Sequence, residues 1–415
     1  MYRTIVVAIG SEILSGAVVD TNSSFLSKEL SELSFEVIRH IAVQDQPETI
    51  HEVLRQALQE AHLVVVTGGL GPTFDDLTKQ TLAKFFERPL TFNPRQFKRI
   101  KDYFQARKHP LHSYVRQQAS FPKSCRIFDN NFGVAPGIGM EDQGKWVIAL
   151  PGVPREMEGM FRGEVIPFLK KKFVSALVQE TLCAKFISLN ETEVLKKLGK
   201  TFPPQDQNIE CGIYPSTGEV TLKMRFTGKS RRTLEAKKRF WQAVMLRKLG
   251  RFVVGFRDEP FEKTVAELFQ KKRYSLALAE SVTGGLIAKR FTDIEGTSKF
   301  LRGGMMVYSD QAKQQILGLN RDLIKNHSAV SVPVARQMAY LARVKFGTTW
   351  GLSTTGVAGP TKGGAKEPVG TVFIGISSKR GTYVTRCLFR GVREKVRWLA
   401  SQKALAMLRE KLLDG

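Results

Sequence analysis

The sequence predicts two α/β folds joined by a smaller α+β segment, and three observations lead to this prediction. Short β-branched apolar runs alternate with amphipathic helical stretches in residues 1–173 and again in residues 257–415, as in parallel α/β sheets. The intervening residues 174–256 carry fewer such units. A chain of 415 residues accommodates two to four domains at roughly 100–200 residues each. We therefore expect domains at 1–173, 174–256 and 257–415.

In the first part, the clearest predicted strands are residues 4–9, 63–67 and 145–150, with helices at 23–33, 49–61 and 77–86. A glycine-bearing loop follows each of these strands, at residues 10–12, 68–73 and 151–154. Ligands of open α/β sheets bind at the carboxyl ends of strands. The three loops are therefore candidates for one site.

The middle part is predicted from a turn at residues 214–218, a strand at 219–226 and a basic helix at 232–249. The helix carries a basic cluster, which we define as Arg232, Lys237, Lys238 and Arg239. Phe240 and Trp241 follow it, and on a helix we expect both to pack in the core. The Gly-x-x-Gly loop of an RNA-binding KH module is not evident in this segment.

The third part begins with a predicted helix at 262–271 and ends with a long amphipathic helix at 393–413. Between them we predict a helix at 310–317 and strands at 274–279, 304–308, 350–355, 371–377 and 383–389. The first of these strands leads into residues 280–285, the second into the helix at 310–317, and the third into the glycine-bearing segment 356–360.

The composition excludes several classes of protein. No apolar run approaches the roughly 20 residues of a membrane span, and the N-terminus resembles a first strand more than a secretory signal, so we expect a cytoplasmic protein. The four cysteines and six histidines are scattered without zinc-ligand spacing. The formal charge of +25 fits an anionic substrate or weak, non-specific nucleic-acid binding, although it also fits a general bias toward Lys and Arg.

The glycine loop after the strand at 63–67 reads Gly68-Gly69-Leu70-Gly71-Pro72-Thr73 and precedes Asp75 and Asp76. Its backbone N–H groups and the following helix N-terminus suit a phosphate. Thr73 and Asp76 also have the spacing of a helix capping box, an equally good interpretation. Carboxylates beside a phosphate require a cation between them, and the hard oxygen ligands for an ion of the Mg²⁺ type are Glu12, Asp20, Asn22, Asp75 and Asp76.

A second group consists of Ser281, Tyr308 and Lys313. Ser281 follows a strand, and a buried, neutral lysine is able to accept a serine proton. Ser309 lies four residues before Lys313 and is a rival nucleophile. The residues alone favour plainer roles, in which Ser281 caps a helix and Lys313 lies on a solvated helix face.

The third group is the loop Thr355-Gly356-Val357-Ala358-Gly359-Pro360, followed by Lys362-Gly363-Gly364. So many glycines between two strands indicate a loop that wraps a ligand or lines an oxyanion pocket. An ordinary surface loop rich in turns is the alternative.

With these motifs, the whole chain resembles the CinA family, named for competence and damage-inducible operons. The matching segments of the first domain are residues 10–16, 19–22, 67–73, 75–78, 135–137 and 150–154. Those of the third domain are residues 279–281, 283–285, 303–304, 308–309, 312–313, 317–318, 329–331, 355–360 and 368–372. The match of the middle segment is weak.

The resemblance implies a doubly wound MoaB/MogA-like first domain of the molybdopterin-binding fold, a KH-like connector and a deamidase-like third domain. It implies that the third domain hydrolyses the carboxamide of nicotinamide mononucleotide without a metal, and that the first is an ADP-ribose pyrophosphatase that uses a divalent ion of the Mg or Co type. Both activities belong to pyridine nucleotide salvage, and the protein is expected to be a homodimer.

The site residues expected from this resemblance fall into three sets. The catalytic set has Ser281 as nucleophile, Lys313 as base and Tyr308 assisting proton transfer, with backbone amides near Thr283, Gly284 or Gly356 holding the oxyanion. The metal ligands are Glu12, Asp20, Asp75 and Asp76. The substrate-binding residues are Glu280, Thr283, Gly284, Thr355, Gly356 and Gly359, together with Gly68, Gly69 and Gly71 of the first domain.

The sequence departs from the family pattern at Val282, where the family has Cys, at Lys366-Glu367, which is the reverse of the family order, and at Val392, where the family has Asp. These changes bear on the substrate more than on the type of reaction. Two other functions are kept as alternatives: a nucleic-acid-associated protein with decayed enzymatic sites, and a molybdopterin-binding module.

Overall fold

The computed structural model describes residues 1–73, 75–110, 115–175, 177–362 and 366–414. These residues form two compact units, one of residues 1–180 with 227–235 and one of residues 181–226 with 236–415. The predicted three-domain division stays a prediction. Within the described ranges, no helix combines the length and the apolar character that crossing a membrane requires.

The first segment alternates strands and helices as predicted. Its main sheet has the strand order β2-β1-β3-β8-β7-β6, in which the pairs β2–β1, β1–β3 and β3–β8 are parallel and the last two pairs antiparallel. The strands are β1 (Tyr2–Ile9), β2 (Phe35–Val43), β3 (Leu63–Thr67), β4 (Leu90–Phe92), β5 (Ser120–Pro122), β6 (Arg126–Phe128), β7 (Gly137–Asp142) and β8 (Lys145–Leu150). The helices are α1 (Ser11–Leu14), α2 (Thr21–Glu32), α3 (Pro47–Glu60), α4 (Thr78–Phe85), α5 (Pro94–Ala106), α6 (Val115–Gln118), α7 (Pro154–Met160) and α8 (Ile166–Lys172).

Both faces of this sheet are covered, which explains the near-continuous apolar strands. Ile5 and Val7 of β1 pack into one buried cluster, whereas Val6 between them packs into another. Strands buried on both faces lose the alternation of apolar and polar residues. The observed layers confirm the predicted doubly wound α/β class. The sequence pattern did not show that β6 and β7 run antiparallel.

The middle segment follows the order β–α–β–β–α–β, the split βαβ arrangement. Its elements are β9 (Val178–Ile187), α9 (Glu191–Leu198), β10 (Ile209–Ser216), β11 (Glu219–Gly228), α10 (Arg231–Leu249) and β12 (Val253–Gly255), and its sheet order is β10-β11-β9-β12. The turn predicted over residues 214–218 is too long, because β10 continues through Ser216. Trp241 is buried as expected, but Phe240 is exposed, so its predicted core packing is wrong. The KH-like assignment stays a prediction from the resemblance.

The third segment has a five-stranded sheet of order β14-β13-β15-β16-β17. Strands β14 and β15 run parallel to β13, and β16 and β17 continue the sheet antiparallel. The strands are β13 (Leu276–Glu280), β14 (Leu301–Met306), β15 (Trp350–Gly356), β16 (Thr371–Ser378) and β17 (Gly381–Leu388). The helices are α11 (Phe261–Lys272), α12 (Leu286–Thr292), α13 (Asp310–Gln315), α14 (Arg321–His327), α15 (Val332–Lys345) and α16 (Arg393–Leu413).

Candidate active site

The carboxyl ends of β13, β14 and β15 meet at one edge of the third sheet. After β13 the chain forms β14 on one side, and it later returns to form β15 on the other side. A reversal of strand order of this kind opens a crevice at the carboxyl ends of the two strands that flank it. Ser281 follows β13 directly, Tyr308 follows β14 by two residues, and Thr355 and Gly356 end β15.

This crevice holds a cavity of about 460 Å³. It brings together the three expected catalytic residues and three of the expected substrate-binding residues: Ser281, Tyr308, Lys313, Thr355, Gly356 and Gly359. Several further residues line the cavity: Val282 and Lys362, which the sequence marked only as a family departure and as part of the glycine-rich loop, and Asp310 and Arg393, for which the sequence indicated no role. Two of these are cations, which makes the cavity suited to an anionic ligand. Gly363 and Gly364 of the same loop lie outside the described residues.

Ser281 begins a tight turn and does not cap a helix. Its N–H donates to the carbonyl of Thr354 (2.9 Å), and α12 starts only at Leu286, with Gly285 at the N-cap position. Gly284 and Gly285 have positive φ angles of 59° and 86°, which glycine adopts without strain. Within the described residues, the Ser281 side chain makes no hydrogen bond. The predicted capping role is therefore wrong, and the hydroxyl is not committed elsewhere.

Lys313 lies inside the fold, with 3% of its side chain exposed. Burial lowers the pKa of its ammonium group from the usual lysine value, and Asp310, whose Oδ1 lies 3.5 Å from Nζ, opposes that change. The interpretation of Lys313 as a solvated surface residue is thus wrong. The rival nucleophile Ser309 caps α13, where its oxygen accepts a hydrogen bond from the N–H of Ala312 (3.1 Å).

Arg393 links two walls of the cavity. Its Nη1 donates to the carbonyl oxygen of Gly359 (2.9 Å), and its Nη2 donates to the hydroxyl of Tyr308. The sequence contained this residue only as the last member of a family motif that Val392 interrupts. The only feature of the sequence that pointed to Arg393 was its position in the first turn of a predicted helix, shortly after Gly391. Arginines in such positions are common, so this feature alone did not identify a site residue.

Three expected substrate-binding residues lie outside the cavity lining. Glu280 is 3% exposed, and its carboxylate accepts hydrogen bonds from the N–H groups of Ile287 (3.1 Å) and Ala288 (2.8 Å) at the start of α12. The hydroxyl of Thr283 bonds to that of Thr354 (2.7 Å), and Gly284 packs against Arg397. A carboxylate at a helix N-terminus satisfies orphan amides. These residues shape the turn behind Ser281.

The three positions that depart from the family pattern lie in different structural environments. Val282 lines the cavity and is otherwise buried. Glu367 pairs with Arg386 of β17 at 2.7 Å. Val392 stands at the N-cap position of α16, is 73% exposed and supplies no side-chain cap.

The first sheet also has a reversal of strand order at β1, because β2 lies on one side of β1 and β3 on the other, and the three predicted loops lie at the carboxyl ends of β1, β3 and β8. Asn22 joins two of these strand ends, because its Nδ2 donates to Thr67 Oγ1 (2.9 Å) and to the carbonyl of Gly152 (2.8 Å). Gly68 has φ 110°, and a Cβ there would collide with the Ile9 carbonyl oxygen. Gly69 and Gly71 line a small cavity beside Asp76.

The four expected metal ligands do not assemble into one cluster. Among the described residues, no three His, Cys, Asp or Glu side chains are placed to hold an ion together. Asp20 caps α2 through the N–H of Ser23 (2.9 Å), and Asp76 accepts from the N–H of Thr73 (2.8 Å). Asp75 also bonds to Thr73, and Glu12 is exposed. The predicted four-carboxylate metal centre is therefore not preformed in this structure.

The predicted capping box at Thr73 and Asp76 is also wrong as a helix start, because α4 begins later, at Thr78. Behind this loop lies Lys79, which the sequence analysis missed. Its Nζ donates to the carbonyl oxygens of Gln117 (3.0 Å) and Gln118 (3.1 Å), and burial lowers its pKa to about 8. No local pattern marked it, because its surroundings come from a segment nearly forty residues later.

Comparisons with known proteins match both segments that contain these candidate sites. The family described as "CinA C-terminal domain" matches residues 258–412, and "Probable molybdopterin binding domain" matches residues 5–171. The chain is 36% identical over 408 residues to a CinA-like protein of Kosmotoga olearia, covering 98% of each. It is 35% identical over 410 residues to a putative competence-damage inducible protein of Caldanaerobacter subterraneus, covering 99% of this chain and 98% of that one.

A solved structure of the protein CinA from Thermoplasma acidophilum, described as of unknown function, is 35% identical and covers 41% of this chain and 98% of that chain, with a TM-score of 0.38. With its full-length relatives and both domain matches, the chain belongs to the CinA family.

Proposed function

We propose that the third segment hydrolyses the carboxamide of nicotinamide mononucleotide to the acid and ammonia. The observation that carries this proposal is the meeting of Ser281, buried Lys313 and Arg393 in one cavity of about 460 Å³. Ligand pockets typically measure roughly 300–1,000 Å³, so a mononucleotide fits. The substrate itself is inferred from the family resemblance. The cations Arg393 and Lys362 suit its phosphate.

In the proposed reaction, the Ser281 oxygen attacks the carboxamide carbon while Lys313 takes the hydroxyl proton. A lysine acts as a base only when it is neutral, and the burial that lowers the pKa of Lys313 favours the neutral amine. No hydrogen bond joins Ser281 to Lys313 within the described residues, as is common before a substrate is bound.

The tetrahedral intermediate carries a negative oxygen, which needs a donor nearby. The N–H of Gly284, one of the several oxyanion donors expected from the sequence, is committed to the carbonyl of Ser281 (3.0 Å). The N–H of Val282 has no acceptor within the described residues, and Val282 lines the cavity. The amide that follows a nucleophile is a common oxyanion donor. We assign this role to Val282.

When the intermediate collapses, the carbon–nitrogen bond breaks and nitrogen leaves as ammonia after receiving the proton held by Lys313. The Tyr308 oxygen accepts from Arg393, so its own proton is available to assist this transfer. Water then attacks the acyl-serine, with Lys313 again as base, and releases the acid. No step requires a metal ion.

The test is to incubate the pure protein with nicotinamide mononucleotide, with and without EDTA, and to measure ammonia and the acid product. We expect turnover that EDTA does not change. Ser281→Ala and Lys313→Ala should each abolish most of it, and their losses should not add, because a nucleophile and its base act as one unit. Ser309→Ala is the matched control and should remain active. Normal activity of Ser281→Ala would exclude this mechanism.

For the first segment, we propose metal-dependent cleavage of ADP-ribose at the glycine loop. Support comes from the position of Gly69 and Gly71 beside Asp76 at the carboxyl end of β3. Mg²⁺ is often held by one or two carboxylates together with the phosphates of a substrate. The described residues contain no cluster of three or more ligand side chains, which is compatible with an Mg²⁺ ion that binds together with the diphosphate of the substrate. Asp75 and Asp76 would be the protein ligands.

This second activity is tested with ADP-ribose in the presence and absence of Mg²⁺ or Co²⁺. Asp76→Asn should lose cleavage without affecting ammonia release from the mononucleotide. If Asp76→Asn and Asp20→Asn both cleave ADP-ribose at the wild-type rate, the two aspartates have only a structural role.

A further inference from the structure

The turn behind Ser281 contains two peptide groups that are joined by one hydrogen bond. The first group consists of the Ser281 carbonyl and the Val282 N–H, and the second of the Thr283 carbonyl and the Gly284 N–H. The Gly284 N–H donates to the Ser281 carbonyl (3.0 Å). Because a trans peptide group is planar, fixing the Ser281 carbonyl also fixes the direction of the Val282 N–H.

The second peptide group is held in turn by Arg397 of α16. Its Nη2 donates to the Thr283 carbonyl at 2.8 Å, and a Cβ placed on Gly284 would lie 3.1 Å from the same nitrogen. Hydrogen bonds from a charged donor are stronger than neutral ones, and hydrogen bonds in a chain polarise one another. The guanidinium therefore strengthens the bond from Gly284 to Ser281.

Arg397 stands on a rigid support. Its neighbours Val396 and Ala400 are fully buried in the core, and Arg393, one helical turn earlier, lines the cavity. The guanidinium of Arg397 does not line the cavity, so it has no direct route to a substrate there. Any effect of Arg397 on the reaction is therefore transmitted through the turn at residues 281–285.

We infer that Arg397 is a positioning residue for the proposed amide hydrolysis: acting through the Thr283–Gly284 peptide group, it orients the Val282 N–H toward the oxyanion. This inference rests on the proposed function. A donor displaced from the oxyanion affects the transition state more than substrate binding, and a misplacement of about 1 Å is able to cost on the order of 100-fold in rate. Loss of Arg397 should therefore lower kcat and leave KM nearly unchanged.

The chain offers a matched control on the same helix. Arg409 donates to the carbonyls of Arg251 (3.0 Å) and Val253 (2.6 Å), so it too bonds backbone oxygens through a half-buried guanidinium. The test compares Arg397→Met, Arg397→Lys and Arg409→Met, with methionine keeping the apolar stem. We expect Arg397→Met to lower kcat by about 10- to 100-fold, Arg397→Lys to recover part of it by restoring a donor, and Arg409→Met to match the wild type in kcat.

A second readout does not depend on the substrate. The labelling rate of Ser281 by a fluorophosphonate probe, followed by intact mass, also requires the oxyanion donor. It should fall in Arg397→Met and stay unchanged in Arg409→Met, with Ser281→Ala as the unlabelled blank. Equal kcat and labelling in Arg397→Met and wild type would overturn the inference while the proposed function stands, and so would equal losses in both methionine variants. A wild-type protein that neither turns over nor is labelled would refute the proposed function, and the inference with it.

Discussion

The pair formed by Lys313 and Asp310 makes a quantitative prediction for the pH dependence of amide hydrolysis. The base must be neutral, so kcat/KM should rise with pH through the pKa of Lys313 in the free enzyme. Asp310 favours the charged ammonium and raises that pKa against the larger effect of burial. Replacing Asp310 with Asn should therefore lower the pKa and move the acid limb of the profile to lower pH.

The size of the shift follows from the distance and the exposure of the pair. Two unit charges 3.5 Å apart in water interact by about 1.2 kcal/mol, which corresponds to just under one pKa unit. The Asp310 side chain is 56% exposed but that of Lys313 is only 3% exposed, so the effective dielectric is below that of water and this energy is a lower bound. Allowing for screening by salt, we expect the acid limb to move downward by at least about half a pH unit.

The assay measures ammonia release at substrate concentrations below KM from about pH 6 to 10. Asp293→Asn is the control, because Asp293 forms a comparable exposed pair with Lys289 (2.5 Å) outside the cavity lining. That variant should reproduce the wild-type profile. An acid limb that stays in place in Asp310→Asn, or moves to higher pH, would refute the assignment of Lys313 as the base.

Three further predictions concern stability and one concerns binding. Lys313→Met should abolish hydrolysis because it removes the base. It should also raise Tm, because a buried ammonium group destabilises the folded state at pH values below the pKa of an unfolded lysine. This increase in Tm should become smaller as the pH rises toward the pKa of the unfolded lysine. Val392→Asp should add the missing N-cap of α16 and stabilise the fold by about 1 kcal/mol in urea unfolding, while raising KM for an anionic substrate beside Arg393. Glu280→Ala should cost about 1–3 kcal/mol in the same assay, since it leaves buried amides unpaired; an unchanged midpoint would contradict its capping role. Glutamine substitution of the basic cluster should weaken nucleic-acid binding at low salt in a gel shift and spare both activities; tight binding of the wild type at physiological salt would contradict this expectation.

The sequence determined most of the secondary structure, because local patterns encode it. The buried strands β3 and β8 and the closing helix α16 have the predicted bounds, since apolar runs of strand length and a continuous amphipathic stretch have few other interpretations. The glycine-rich loops after strands also marked both candidate sites, because positive φ angles and close backbone contacts demand glycine.

The roles of individual side chains within those sites were decided by tertiary structure. Glu280 and Ser281 are adjacent in the sequence, yet one carboxylate turns back to cap α12 while the hydroxyl next to it reaches the cavity. Arg397 comes from the end of the chain, more than a hundred residues from the turn that it contacts, and Arg393 bonds to Tyr308, 85 residues earlier. Burial and partners of this kind depend on which distant segments pack together, and no local pattern contains that information. For the same reason, four acidic residues near two loops suggested a metal centre, whereas hydrogen bonds to Ser23 and Thr73 already engage three of them.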